Sequence, residues 1–132
     1  PVFFETGLWF ISPEAEVLEG RTMKFADGFG AFRPDPNTHE IYFDERYDDD
    51  FLVAKHRAIL HDGYKLLYIP TRQGVKWELF DVSNDPLEQR NLYSERPELA
   101  EGLRRKLEEW ILSDPGMMKL GDYMVPRLAS GP

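Results

Sequence analysis

The chain contains no cysteine, which excludes disulfides, thiolate zinc sites, cysteine nucleophiles and iron–sulfur clusters together. It has no run of about 18 apolar residues, and its first residues lack the charged-then-apolar order of a signal peptide. No membrane contact is therefore expected from this segment. Basic residues are in short supply: 16 Lys and Arg stand against 24 Asp and Glu, a net charge of −8. That balance repels phosphate backbones, so nucleic acid is not an expected partner. An initiating methionine is missing too, and a chain opening on Pro1 reads as a fragment or a processed product.

What is present suits one core. Of the 132 residues, 42% are hydrophobic and 14% aromatic, enough for a single domain and too few for two ordinary ones. The acidic excess is local: residues 1–50 hold 12 acids and 4 bases, whereas residues 51–132 hold 12 of each. The first segment also carries Pro13, Gly20, Gly28, Gly30, Pro34 and Pro36 between short apolar runs, and reads as an irregular arm or insertion with short strands at Val2 to Phe10 and Glu40 to Asp44. Asp48-Asp49-Asp50 lacks the spaced oxygen ligands and the Gly of a calcium loop and reads as a solvated turn. Gly28-Phe29-Gly30 has no flanking strand and helix to make a phosphate loop.

From Phe51 the periodicity sharpens. Phe51 to Leu60 alternates as a strand, with Leu52, Ala54, His56, Ala58 and Leu60 on an apolar face and Val53, Lys55, Arg57 and Ile59 on the other. Asp62-Gly63 tolerates the positive φ of a tight hairpin turn, so Tyr64 to Ile69 returns antiparallel. A second turn at Pro70 to Gly74 leads to a third strand, Val75 to Val82. Asp85-Pro86 predicts a short turn of helix through Gln89. Pro97 then opens an amphipathic helix with Leu99, Leu103, Leu107, Trp110 and Ile111 at helical spacing, ending near Asp114-Pro115. The expected fold is α+β, a small antiparallel sheet of three to four strands packed against a long C-terminal helix. Its parts are an arm (1–50), a sheet-and-helix core (51–112) and an extended tail (113–132).

Lys55-His56-Arg57-Ala58-Ile59, Gly63-Tyr64-Lys65-Leu66, Glu78-Leu79-Phe80-Asp81-Val82, Asp85-Pro86, Glu88, Asn91-Leu92 and the Leu103, Leu107, Trp110 helix follow one another in a specific order and spacing. Over residues 53–112 this pattern resembles the C-terminal end of type I sulfatases. Phe4-Glu5-Thr6-Gly7 is similar to the segment that leaves their catalytic domain, while residues 13–50 match nothing in the family pattern. The resemblance implies a subdomain closing a larger α/β catalytic domain of the alkaline phosphatase superfamily. It also implies a parent that cleaves sulfate esters with a formylglycine and a divalent metal, usually calcium, and that works in the periplasm or outside the cell. This chain departs from that chemistry. It has no Cys, none of Ser12, Ser83, Ser94, Ser113 or Ser130 begins a C-x-P-S-R or S-x-P-x-R motif, and the family's paired N-terminal metal aspartates are missing. No cofactor is expected on it. Its expected partner is the sulfatase catalytic domain, and a sulfate-ester substrate is reached only through the parent.

Three neighbouring residues are candidates for the rim of the parent's substrate pocket: Lys55, His56 and Arg57. Lys55 and Arg57 share a strand face about 6–7 Å apart, a spacing suited to an anionic group. Pairing with Glu78 or Asp81 is the structural alternative. His56 suits a general acid or a histidine bonded within the fold, and His61 falls at the turn as an exposed residue. Trp77, Trp110, Tyr64 and Tyr68 have the spacing of core aromatics, with a sugar-stacking platform as the rival reading. Asp85 and Asn91 read as turn and cap residues. Beside the sulfatase subdomain stand two other functions, a free-standing binding or assembly module and an autonomous Glu/His enzyme. An exposed apolar patch larger than a typical monomer's, on the face the catalytic domain would cover, distinguishes the first.

Overall fold

The computed structural model describes residues 1–5, 32–43, 55–71 and 74–127. Four antiparallel strands form the main sheet in the order β1-β4-β5-β6: β1 (Val2–Glu5), β4 (Arg57–His61), β5 (Tyr64–Thr71) and β6 (Gly74–Asp81). Two further strands, β2 (Phe32–Pro34) and β3 (Ile41–Phe43), make a separate hairpin. In its loop the Asp35 carboxylate accepts the N–H groups of Asn37 and Thr38 at 2.7 and 3.1 Å. After β6 come one helix, α1 (Pro97–Leu112), and a final hairpin of β7 (Met117–Leu120) and β8 (Tyr123–Pro126).

The β4–β5 turn forms as the sequence predicts. Asp62 and Gly63 have φ of 51° and 78°, the left-handed pair that matches strand twist in a two-residue hairpin. The positive φ of Gly63 is the reason for glycine here; the one close neighbour of an added Cβ, the Ser83 hydroxyl at 2.5 Å, can rotate away. Strand β4 is shorter than the alternation suggests, beginning at Arg57; residues 51–54 lie outside the described residues. The same holds for Thr6 to Phe10, Gly28 to Gly30 and Asp44 to Asp50, and for residues 72–73 at the centre of the second turn. Strand pairing continues to Thr71 and Gly74 on either side of that turn.

The alternation of β4 holds over the described residues, and the core side is that of Arg57 and Ile59. Ile59 belongs to the core with Leu66, Tyr68, Trp77 and Leu79, and register places Arg57 on that same side. Helix α1 covers this side with Ala100, Leu103, Leu107 and Ile111, a 3-4-4 spacing that keeps one stripe against the sheet. The helix has 16 residues and is followed by more chain, so it closes the core without being the last element. Where an extended tail was expected, β7–β8 folds back and buries Met117 and Met124 in the same core. Its attachment is polar as well: the Tyr68 hydroxyl accepts the Met124 N–H at 2.8 Å, and the Tyr123 hydroxyl donates to the Thr71 carbonyl at 2.6 Å.

Candidate functional site

Residues 81–92 form the irregular link between β6 and α1, and no helical turn appears there. Glu88 adopts φ of 53°, outside the helical region, while the Asp85 carboxylate accepts the N–H groups of Gln89 and Arg90 at 3.0 Å. Asp85 is thus a turn cap, as its sequence context predicts. Asn91 accepts the Leu79 N–H at 2.9 Å and donates to the Trp77 carbonyl at 3.4 Å, and the Leu92 N–H reaches the Leu79 carbonyl at 2.7 Å. The outer edge of β6 is therefore occupied by its own chain.

Two concave regions flank β4. The larger, about 540 Å³, lies on the sheet face turned away from α1 and is lined by residues including Phe4, His56, Ala58, Leu60, Leu67 and Val82. Register explains its character: Phe4, Ala58 and Leu67 form one row across β1, β4 and β5, and Val2, Leu60, Lys65 and Phe80 form the next. A sheet covered on one face ordinarily alternates apolar-in and polar-out. Here the second face is apolar too, with Phe4 48% exposed. Its charges are paired: Lys65 with Glu88 from the segment after β6, and Glu78, which ends the Phe4 row on β6, with Lys76.

The smaller region, about 350 Å³, lies where β1 and β4 meet the end of α1, between Glu5, Lys55, Arg57, Trp110 and Asp114. Glu5 stands directly opposite Arg57 in the β1–β4 register. Its two carboxylate oxygens accept from Arg57 Nε and Lys55 Nζ, each at 3.2 Å. Burial pushes the Glu5 carboxyl up, but the hydrogen bonds and charges of Lys55 and Arg57 outweigh it and hold its pKa below the ordinary value. The expected partners, Glu78 and Asp81, are engaged elsewhere: Glu78 with Lys76 at 2.7 Å, and Asp81 with the Asn84 amide at 2.8 Å. Strand order is the reason, since β6 is two strands away from β4.

Lys55 and Arg57 converge on Glu5, with Arg57 only 2% exposed; Glu5 and Arg57 border both concave regions, and His56 lines the larger one beside them. Burial lowers the His56 pKa and the nearby Glu78 charge partly offsets this, which favours neutral imidazole. His61 is half-buried and sits 3.3 Å from Asp62. The aromatics serve the core. Tyr68 and Trp77 are buried and meet edge to face at 5.4 Å, and Trp110 stacks on Phe3 at 4.7 Å. Arg104 lies 4.8 Å over the Trp77 ring and joins Glu108 and Asp122. Burial works against the Arg104 charge, and its bonds to Glu108 and Tyr93 overcome that and raise its pKa.

Among the described residues no three His, Asp or Glu side chains come together. No curated protein matches the chain. The family model for N-sulphoglucosamine sulphohydrolase, C-terminal, matches residues 32–113, which corrects the sequence expectation: residues 32–50 of the acidic segment do have a counterpart in the family. With most of its length inside that match, the chain belongs to this family, the C-terminal domain of a sulfatase.

Proposed function

We propose that the chain is the non-catalytic C-terminal subdomain of a sulfatase-like sulfuric ester hydrolase, and that it packs on the catalytic domain through the outer face of its sheet. The observation that supports this reading is the second apolar face. Val2 and Phe4 are exposed on the side turned away from α1, next to the partly buried Leu60 and Leu67, and water is a poor neighbour for such side chains. Lys55 and Arg57 fit a structural tie better than a cationic rim for substrate, because both already serve Glu5. The substrate-bearing chemistry, with its formylglycine and calcium, then belongs to the parent's catalytic domain.

Phe4→Asp tests the docking face. Phe4 is about half exposed on an edge strand, so in the isolated chain the change costs only about 1 kcal/mol, from the part of the ring that is buried. In the parent the same carboxylate is buried against an apolar neighbour, and thermal unfolding shifts down by several degrees, roughly the effect of 1–3 kcal/mol. Equal shifts in chain and parent would overturn the reading.

A further inference from the structure

Leu87 is 77% exposed, more than any other large hydrophobic side chain among the described residues. A lone exposed leucine is ordinary and needs no explanation. This one differs in how its backbone is held. Pro86 fixes φ immediately before it, and the Glu88 N–H bonds the Asp85 carbonyl at 3.0 Å. The Asp85 carboxylate takes the N–H groups of Gln89 and Arg90, and Glu88, in the left-handed region, is tied to Lys65 on β5. Four constraints thus fix a turn whose tip is an apolar side chain in solvent, where it contributes almost nothing to folding. Its two neighbours, Pro86 and Glu88, line the apolar groove, so the tip stands at the border of that face.

From this we infer that Leu87 is a preorganised anchor, inserting into an apolar pocket of the parent's catalytic domain beside the outer sheet face. The inference rests on the docking proposed above and adds the residue that fixes where the two parts meet. Rigid presentation matters because an apolar group already held in its bound conformation loses little conformational entropy on docking. Such a residue has the properties of an interface hot spot, small in the free molecule and large in the complex. The Lys65–Glu88 pair then acts as a strut, holding the turn upright on the sheet.

Side-chain footprinting with a photogenerated carbene tests this, comparing the 132-residue chain with the full-length parent. In the chain, Phe4 and Leu87 both label. In the parent, labelling of Phe4 falls several-fold and that of Leu87 by roughly tenfold or more, as expected of a fully desolvated anchor. Leu87→Asp in the parent restores labelling of Phe4, while the melting temperature of the chain carrying the same change stays put. If Phe4 is protected in the parent and Leu87 labels as in the chain, the anchor is overturned and the docking stands. If neither is protected, both fall.

Discussion

Glu5 holds two cations at once, and one of them, Arg57, is almost fully buried. Exposed ion pairs contribute about 0–1 kcal/mol, whereas removing the partner of a buried charge costs about 3–5 kcal/mol. Glu5 itself is 37% exposed, so water screens part of the interaction and Glu5→Gln should cost about 1–2 kcal/mol. The pH dependence has a definite sign. Because the folded pKa is depressed, the unfolded chain binds the Glu5 proton first as pH falls. The stabilisation is complete above the ordinary carboxylate range and disappears as pH drops through the folded value. Urea unfolding of wild type and Glu5→Gln should therefore differ by a constant amount near neutrality and converge in acid. A gap that persists below pH 2 would mean that Glu5 acts through packing. The pairing itself was hidden in the sequence, since 52 residues separate Glu5 from Arg57 and nothing local announces that β1 lies beside β4.

At the level of elements, the closing of the core depends on α1 from one direction and β7–β8 from the other. Leu107 is fully buried in the helix stripe, and Leu107→Ala should cost about 2–5 kcal/mol, read as a lower urea midpoint at unchanged slope. Tyr68→Phe probes the hairpin. Burial raises the Tyr68 phenol to about 12, so it stays protonated and accepts the Met124 N–H through a lone pair. Without the oxygen that buried N–H is orphaned, at a cost of about 1–3 kcal/mol. An unchanged midpoint would show that the hairpin is held by Met117 and Met124 alone. The helix was legible because five apolar residues recur at its period over four turns. The hairpin was not, because its strands have four residues each and most of their side chains are apolar on both faces, which erases the alternation. Gly121-Asp122 between two such runs was the available signal. The missing helical turn at Asp85 has the opposite cause: its capping chemistry is real, but Glu88 turns the chain left-handed and Asn91 draws it along β6.

Among the described residues, one face of the main sheet is covered by α1 and the other exposes Val2 and Phe4, and this bears directly on whether the chain can act alone. The alternation that places Ile59 inward and Ala58 and Leu60 outward was readable, but both sets are apolar, and only the helix decides which is the core. Lys55, His56 and Arg57 are adjacent in sequence, and the structure ties the two cations to Glu5 while His56 lines the larger groove, which Glu5 and Arg57 also border. Sulfate-ester hydrolysis needs a nucleophile, a positive clamp on the equatorial oxygens and a proton donor for the leaving group within one pocket. On this chain both clamp cations are already bound by the Glu5 carboxylate, and no cysteine exists to become the nucleophile. The chain should therefore release no chromophore from an aryl sulfate, and added calcium or a chelator should leave that result unchanged. The measurement is a continuous absorbance assay across the elution peak of the purified chain. Turnover that follows the peak and disappears with Glu5→Gln or a His56→Ala variant would place a working site on this fold and overturn its reading as a non-catalytic subdomain.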